Sequence, residues 1–433
     1  MSQKGFTYHW LIVIACFLLT AVSIGITVNC FGPLSVALTA KFPDASSSAI
    51  QYVFMIAAIM NLVGSALVGK IMEKFTMRIA MPVYAIILSA GVLMWSLCDS
   101  LQSYYIVAIF VGFGASGVAV IPCGALINNW FEEKKGLATG LAFTGSGAGG
   151  LLLVQMTQYV LGSSNDLQAA YLALGIVAAV ISIPTTIFII REHPRDKGLA
   201  PYGSTGKVNT EQLSLPGIPL KQYIKTGSFW LLGISVFIIA FINVGLQNHI
   251  SLYLTKRDIN ADMVANIFSL YLLLLIPGKI LLGSIYDKAG IAIGSIYGLI
   301  TYIATVGLLL YTGHLYIAIA AAVFFSLAGS MTTVTPPYVT ARTVGLKDFA
   351  KIFGILNLFY GIGLVLGPVI AAKIYDASTI TSLTDPETGA VTNVIDPAIG
   401  SYTNVFVAFG ALAFVLCLTT ILSSRKREEY SKM

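Results

Sequence analysis

Apolar stretches long enough to cross a bilayer follow one another along almost the whole chain. Of the 433 residues, 57% are hydrophobic and only 10% are charged, whereas soluble domains carry roughly 25% charged residues. A water-soluble globule of this length could not cover its surface with so few charges, and a disordered chain requires low hydrophobicity. Because a membrane-spanning helix needs about 20 apolar residues, the composition predicts an all-α membrane protein with about twelve spans.

The predicted spans fall into two sets of six, which we number 1 to 12 along the chain. They lie at about 10–31, 50–71, 79–98, 104–127, 137–161 and 169–190, and then at 229–254, 263–286, 291–312, 315–339, 352–373 and 402–423. Between the sets, residues 191–228 contain four prolines and several glycines and serines, which is the composition of a linker. We therefore predict an N-terminal bundle (1–190), a linker (191–228) and a C-terminal bundle (229–433).

Positive charge is distributed unevenly between the two sides of the membrane. Twenty of the 25 lysines and arginines lie on the side of the two termini, four lie on the other side, and one lies within a span. The positive-inside rule therefore predicts cytoplasmic termini in a multi-pass protein of the plasma membrane. The net charge of +6 is explained by this excess, which faces anionic lipid rather than nucleic acid. The five cysteines lie in apolar runs without ligand spacing, so no disulfide framework, metal site or cofactor is predicted.

The longest segment outside the spans on the opposite side is 376–404. It contains Asp385-Pro386-Glu387-Thr388-Gly389, a sequence typical of a turn, which predicts a small hairpin or lid. Its carboxylates lack the alternating spacing of a calcium loop, so no metal ion is predicted there.

The second half of the chain repeats the first at an offset of 214 residues. Matching pairs at this offset are Gly64–Gly278, Gly69–Gly283, Gly140–Gly354, Gly147–Gly361, Gly149–Gly363, Asn29–Asn243, Pro122–Pro336, Glu73–Asp287 and Lys74–Lys288. Five glycine coincidences alone would be modest, but the acid-base pair, the proline and the asparagine share their register. Parallel six-span repeats are a transporter architecture in which the substrate is held between the halves at mid-depth.

Two motifs in this repeat carry a resemblance to a known family. Between spans 2 and 3, the chain resembles the signature loop of the major facilitator superfamily over Gly69–Arg78, with an echo at Gly283–Gly290. The region Asn129–Gly140 is similar to one branch, the oxalate–formate antiporters and monocarboxylate transporters. The resemblance implies twelve helices in two pseudo-symmetric bundles of six. Two positions depart from the signature, because Glu73 replaces the usual Asp and Thr76 replaces a Gly.

The resemblance also implies a latch on the cytoplasmic side. Carboxylates at Glu73 and Asp287 can pair with cations at facing helix ends when that side is shut. The loop that begins at Gly69 supplies two such cations, Lys74 and Arg78. Exposed contacts of this kind are worth only about 0.2–1 kcal/mol each, which suits a switch between states of similar energy. The alternative is that these charges only anchor the helix ends in the cytoplasm.

One charged residue, Lys279, lies deep within a predicted span. None of the 19 acidic residues lies at mid-membrane depth, so no carboxylate of the protein is predicted to pair with it. A central lysine costs roughly 2.5–3.5 kcal/mol to insert and is expected to face the interior. Snorkelling toward lipid headgroups is the alternative, but the end of span 8 at Asp287 is about 12 Å of helix away. Its repeat mate is Ser65, so the charge is not part of the shared scaffold, and we predict an anionic substrate as its partner.

The resembling families sharpen this prediction. In them, a cation at this position of span 8, usually Arg, contacts the substrate carboxylate. The oxalate–formate antiporters have a second deep cation in span 11, where this chain has Tyr360. One cation without a second favours a monocarboxylate resembling lactate, pyruvate or formate, and an oxalate-type dicarboxylate exchanger is the alternative.

Polar residues within the spans are further candidates for lining the substrate site. Asn29 and Asn243 are repeat mates in spans 1 and 7, and Asn357 lies near Tyr360 in span 11. His249 is the one histidine inside a predicted span and could accept a proton near neutral pH. Each has an alternative role in interhelical hydrogen bonds, which are worth about 0.6 kcal/mol.

The sequence indicates neither an ATP-driven pump nor an enzyme. The glycine-rich stretch 140–150 lacks the Lys-Ser/Thr ending of a P-loop, and no deep His–acid pair accompanies the serines. We predict a monomeric secondary active transporter of small organic anions that works by alternating access, with proton symport or anion exchange left open. The rival from another class is a transporter-like receptor that binds without translocating.

Overall fold

Helices make up nearly all of the computed structural model, which describes residues 8–45, 47–164, 166–204, 217–255, 261–311, 314–345, 347–384, 391–395 and 401–425. The α-helices are Tyr8–Ile24, Phe31–Lys41, Ser47–Lys74, Met77–Trp95, Leu101–Ser116, Val120–Trp130, Lys135–Ser164, Leu167–Pro184, Leu220–Tyr223, Gly227–Thr255, Ala261–Leu310, Leu315–Gly329, Met331–Val344, Phe349–Thr379 and Ser401–Arg425. Two π-helical turns, Gly25–Asn29 and Thr185–Ile189, extend the first and sixth spans, and a short 3-10 helix covers Pro194–Lys197.

The predicted number of twelve spans is confirmed within the described chain. Eleven of its helical segments are long and apolar enough to cross a membrane. The helix Ala261–Leu310 has 50 residues, which is about 75 Å of helix and more than twice the ~30 Å hydrocarbon core. Gly290 interrupts it with a φ of 79° and a ψ of −177°. The segment therefore supplies spans 8 and 9, and the eleven segments give twelve crossings.

The internal repeat reappears in the packing of the helices. Spans 4 and 10 are each interrupted, after Ser116 and at Ser330, two positions that are 214 residues apart. Span 5 approaches span 8 so closely that a Cβ built on Gly140 would lie 2.5 Å from the carbonyl oxygen of Lys279. The repeat mate Gly354 makes the matching approach of span 11 to span 2, with 2.5 Å to the carbonyl oxygen of Ser65. The two halves therefore contact each other through two equivalent pairs of helices.

The linker segment is anchored to both halves at its described ends. Tyr202 donates its backbone N–H to the carbonyl of Trp130 at 2.9 Å, which attaches the first end to the first half. Ile218 donates to the carbonyl of Val344 at 2.9 Å, which attaches the second end to the second half. We call the side of the membrane that holds these anchors the linker side. Its cytoplasmic location and the proposed domain boundaries at 190 and 229 stay predictions, and Lys4 and 426–433 lie outside the described residues.

A two-stranded sheet lies on the opposite side, before span 12. Strand β1 (Ile380–Thr384) pairs antiparallel with β2 (Val391–Ile395), so that Ile380 faces Ile395 and Thr384 faces Val391. Two antiparallel strands joined by a short segment are what the predicted hairpin in this loop requires. The turn predicted at Asp385–Gly389 lies outside the described residues.

The close approach at Gly140 gives a prediction about stability. Gly140→Ala should lower the free energy of unfolding by about 1–3 kcal/mol, because the new methyl group overlaps a backbone carbonyl of span 8. Thermal and denaturant unfolding of the purified protein measures the change. Gly162→Ala, in the same helix, is the matched control because a Cβ there meets nothing within 4 Å. Equal stability of the two variants would contradict the packing.

Candidate functional site

Lys279 is buried at the boundary between the two halves. Only 3% of its surface is exposed. It follows Pro277 and Gly278 in the middle of span 8. Its backbone lies against Gly140 of span 5, so the absence of a side chain at that glycine brings the first half within reach of the ammonium group. The prediction of a deep, interior-facing lysine is therefore confirmed, and snorkelling to the membrane surface is not observed.

The ammonium group of Lys279 is held by neutral oxygen atoms of the other half. Its Nζ donates to the carbonyl oxygen of Phe143 at 3.0 Å and to the Oγ of Ser146 at 2.5 Å, both in span 5. None of the ion pairs of the described residues includes Lys279. An ammonium has three N–H donors, so one donor is left for a further acceptor.

Asn29 reaches the same position of span 5 from span 1. It ends the π-helical turn Gly25–Asn29, a wider turn of the kind often found at functional sites. Its Nδ2 donates to the carbonyl of Ser146 at 2.9 Å, and a Cβ on Gly150 would lie 2.4 Å from that nitrogen. Ser146 thus joins spans 1, 5 and 8, and Asn29 and Lys279 are brought together as predicted candidates.

The remaining lining candidates lie in the second half, apart from this junction. Asn243 is buried, and its Nδ2 has no hydrogen-bond partner among the described residues. A Cβ built on Gly329 would lie 3.3 Å from that nitrogen and 3.0 Å from the hydroxyl of Tyr271. Asn357 and Tyr360 are half-buried in span 11. The neighbouring Gly361 packs on Leu62 of span 2, so this part of span 11 faces the first half. Roles in substrate binding for these residues stay predictions.

His249 is held within the second half. Its Nε2 lies 3.1 Å from the carbonyl oxygen of Pro368, and its Nδ1 lies 3.5 Å from the hydroxyl of Tyr402. These contacts connect span 7 with spans 11 and 12. They give His249 the interhelical role that was the alternative to proton transfer, and none of its described hydrogen bonds reaches Lys279.

Two carboxylates connect the halves on the linker side. Asp287 accepts the backbone N–H groups of Gly136 at 2.6 Å and Leu137 at 2.7 Å. These N–H groups belong to the first turn of span 5 and have no partner within that helix, and the helix dipole adds to their attraction for a carboxylate. At the equivalent place Glu73 forms an ion pair with Lys351, which also lies 3.5 Å from Asp348.

The other residues of the predicted latch make fewer contacts between the halves. Gly69 is packed against the backbone of Lys351, where a Cβ would lie 2.6 Å from its Cα. Lys74 and Arg78 are exposed, and neither forms an ion pair with the second half in the part of the chain that the structure describes. A gating role for these two cations stays a prediction.

The linker side is closed in this structure. Besides the two carboxylates, Asn128 donates its Nδ2 to the carbonyl of Gly345 at 3.4 Å, again across the halves. Lys135 donates to Asn128 Oδ1 at 2.5 Å and so supports this contact. Sequence reasoning did not single out Phe143, Ser146 or Lys351. The glycine-rich stretch of span 5 and the repeat register pointed to the helices that hold these residues. Neither pattern indicates which atom of a helix is the hydrogen-bond partner. Within the described chain no cluster of His, Cys, Asp and Glu has the composition of a metal site.

Comparisons with known proteins agree with this architecture. The sequence model of the Major Facilitator Superfamily matches residues 13–298 and 257–432. The Uncharacterized MFS-type transporter YhjX of Escherichia coli K12 is 24% identical over 82% of this chain and 85% of its own length. Human Monocarboxylate transporter 12 is 22% identical over 86% of this chain and 76% of its own length. The crystal structure of the human organic anion transporter MFSD10 (TETRAN) has the same fold, with a TM-score of 0.68 and 14% identity over 95% of this chain and 99% of that chain.

The contacts of Asp287 and Glu73 should contribute unequally to the stability of the closed state. Asp287→Asn should shift the closed state toward opening by about 1–2 kcal/mol, because a charge-assisted helix cap is lost. Glu73→Gln should change it by less than about 1 kcal/mol, because the Glu73 side chain is 63% exposed. Spin labels at Lys134→Cys and Lys288→Cys would report the separation of the halves, since the native cysteines are buried. An equal shift in both variants would contradict this difference.

Proposed function

The chain belongs to the major facilitator superfamily of membrane transporters, and on that basis we propose that it carries small organic anions, chiefly monocarboxylates, by alternating access. The observation that supports this proposal most strongly is the environment of Lys279. A buried ammonium requires compensation, and its described contacts supply only a carbonyl and a hydroxyl oxygen. A carboxylate that arrives from solution would complete the set with a charge-assisted hydrogen bond.

Binding of such an anion would also act on the contact between the halves. Lys279 belongs to the second half, and both of its present acceptors belong to the first. A carboxylate that takes over the ammonium therefore weakens a connection between span 8 and span 5 at the centre of the protein. The linker-side contacts of Asp287 and Glu73 are short-range, so a small separation of the helices breaks them. The substrate in this way lowers the barrier between the closed and open forms.

The preference for a single carboxylate rests on the number of cations. Lys279 is the one cationic side chain at this depth among the described residues, and Tyr360 of span 11 is neutral. The relatives named as monocarboxylate and organic anion transporters support the same class of substrate. The charge bias of the loops supports a plasma-membrane protein whose linker side faces the cytoplasm.

Replacing Lys279 should strongly weaken recognition of the anion. Lys279→Gln should reduce counterflow of a radiolabelled monocarboxylate in proteoliposomes by about 10- to 150-fold, which corresponds to a lost charge-assisted contact of about 1.5–3 kcal/mol. Lys373→Gln, an exposed lysine of span 11, is the control and should keep wild-type counterflow. Accumulation inside the vesicles separates a transporter from a receptor that only binds. Full counterflow by Lys279→Gln would contradict the proposal.

A substrate panel tests the number of carboxylates. Unlabelled acetate, lactate and pyruvate should compete with the labelled monocarboxylate for wild-type counterflow, and oxalate should compete weakly because its second carboxylate meets no cation. Inhibition constants from the same vesicles provide the comparison. Competition by oxalate alone would favour the dicarboxylate exchanger instead.

A further inference from the structure

A cavity lies on the linker side, where the two halves and the linker segment meet. Its volume is about 880 Å³, which is within the range of small-ligand sites. Its charged lining comes from the end of span 2, from the short linker helix and the residues after it, and from the start of span 11: Lys70, Glu73, Lys221, Lys225, Asp348 and Lys351. Four ammonium groups therefore share this cavity with two carboxylates.

Both carboxylates of the cavity are already engaged. Glu73 forms an ion pair with Lys351, which also lies 3.5 Å from Oδ1 of Asp348. The second oxygen of Asp348 accepts the backbone N–H of Leu220 at 2.8 Å. These contacts compensate the charge of Lys351 and leave the other three lysines of the cavity without a carboxylate.

The three remaining lysines have no counterion within the described chain. Lys70, Lys221 and Lys225 are exposed, and none of the ion pairs between described residues includes them. Like charges around one cavity repel one another and create a positive potential that attracts anions. An anion can therefore bind to these lysines without displacing a partner from them.

The same lysines lie close to the membrane surface. Lys70 is in the last turns of the span 2 helix, which ends at Lys74. Lys225 lies just before the span 7 helix, which begins at Gly227. Basic pockets between membrane helices at this level can hold the phosphate groups of anionic lipids. Both a lipid headgroup and a soluble anion can therefore reach the cavity.

We propose that this cavity is a regulatory site for a phosphate monoester, and that the bound anion holds the linker side closed. A phosphate monoester carries about two negative charges at pH 7 and three strong acceptor oxygens. One such group can therefore pair with several ammonium groups at once. Phosphatidic acid presents it in the membrane, and glycerol 3-phosphate presents it in solution. This inference goes beyond the proposed function, because it requires no particular transported substrate.

The effect on closure follows from where the lysines are anchored. Lys70 belongs to span 2 of the first half. Lys221 and Lys225 lie on and just after the linker helix, which is attached to the second half by the bond of Leu220 to Asp348. Opening of the linker side moves these groups apart and divides the cavity. A ligand that binds one of two states better shifts the equilibrium toward that state, so the anion favours the closed form.

Spin labels on the linker side measure this shift without any transport assay. Protein labelled at Lys134→Cys and Lys288→Cys is placed in phosphatidylcholine nanodiscs alone, with phosphatidic acid, or with glycerol 3-phosphate added. At least one of the two phosphate monoesters should increase the fraction with the short distance between labels. The same labels in Asp287→Asn, whose closed form is weakened, cover the case in which the parent protein is already fully closed.

The two anions also distinguish the source of the phosphate. A response to phosphatidic acid alone supports the site with a lipid headgroup as its ligand. A response to glycerol 3-phosphate supports the site with a soluble ligand. The absence of a response to either anion, in both proteins, would overturn the inference.

Lysine variants separate a defined site from general surface charge. Lys70→Gln and Lys221→Gln should each raise the amount of anion needed for half of the shift by about fivefold, the contribution of one basic residue near an anionic membrane surface. Both side chains are exposed, so neither change should disturb folding. Arg195→Gln removes an exposed linker cation outside the cavity, and it is the matched control that should respond like the parent protein.

A second lipid completes the comparison. Phosphatidylglycerol, given at the same surface charge as phosphatidic acid, should cause a smaller shift because its phosphate is a diester with a single charge. Equal responses of the three variants would overturn the inference. Equal shifts by glycerol 3-phosphate and by an equal concentration of chloride would overturn it as well, since ionic strength alone would then explain the effect.

Discussion

The two hydrogen bonds of the Lys279 side chain to Phe143 and Ser146 connect the halves at the depth where a charge is most costly. A lysine at this depth has to be satisfied within the protein, because lipid offers no partner. Span 5 can supply that partner only by coming very close to span 8, and Gly140 makes the approach possible. The same junction receives Asn29 from span 1. Helix packing, charge compensation and the candidate substrate site therefore meet at one turn of span 5.

The two halves share a scaffold and differ in their chemistry. Gly140 and Gly354 make equivalent contacts with the partner half, and so do the loops that begin at Gly69 and Gly283. At the contact itself the first half has Ser65, where the second half has Lys279. On the linker side Asp287 caps a helix, while Glu73 forms an exposed ion pair. Such unequal contacts let a symmetric frame carry one asymmetric site, as the proposed recognition of a small anion requires.

Hydropathy and the repeat were sufficient to predict the fold. Runs of apolar residues predicted twelve spans, and the gap between 286 and 291 coincides with the break at Gly290. The deep position of Lys279 followed from its place within an apolar run, and its lack of a carboxylate partner in the protein followed from the absence of acidic residues at that level. The partners could not be predicted in the same way, because every residue has a carbonyl like that of Phe143, and Ser146 is one of many serines. His249 showed the reverse case: its residue type suggested proton transfer, whereas its contacts with Pro368 and Tyr402 depend on helix packing.

The most direct test of the central claim is an experimental structure of the protein with a bound monocarboxylate. The account predicts a carboxylate oxygen about 2.7–2.9 Å from Nζ of Lys279, with the side chain withdrawn from Ser146 Oγ and the contact between spans 5 and 8 loosened. An anion bound elsewhere in the protein, with Lys279 still hydrogen-bonded to Ser146, would contradict it.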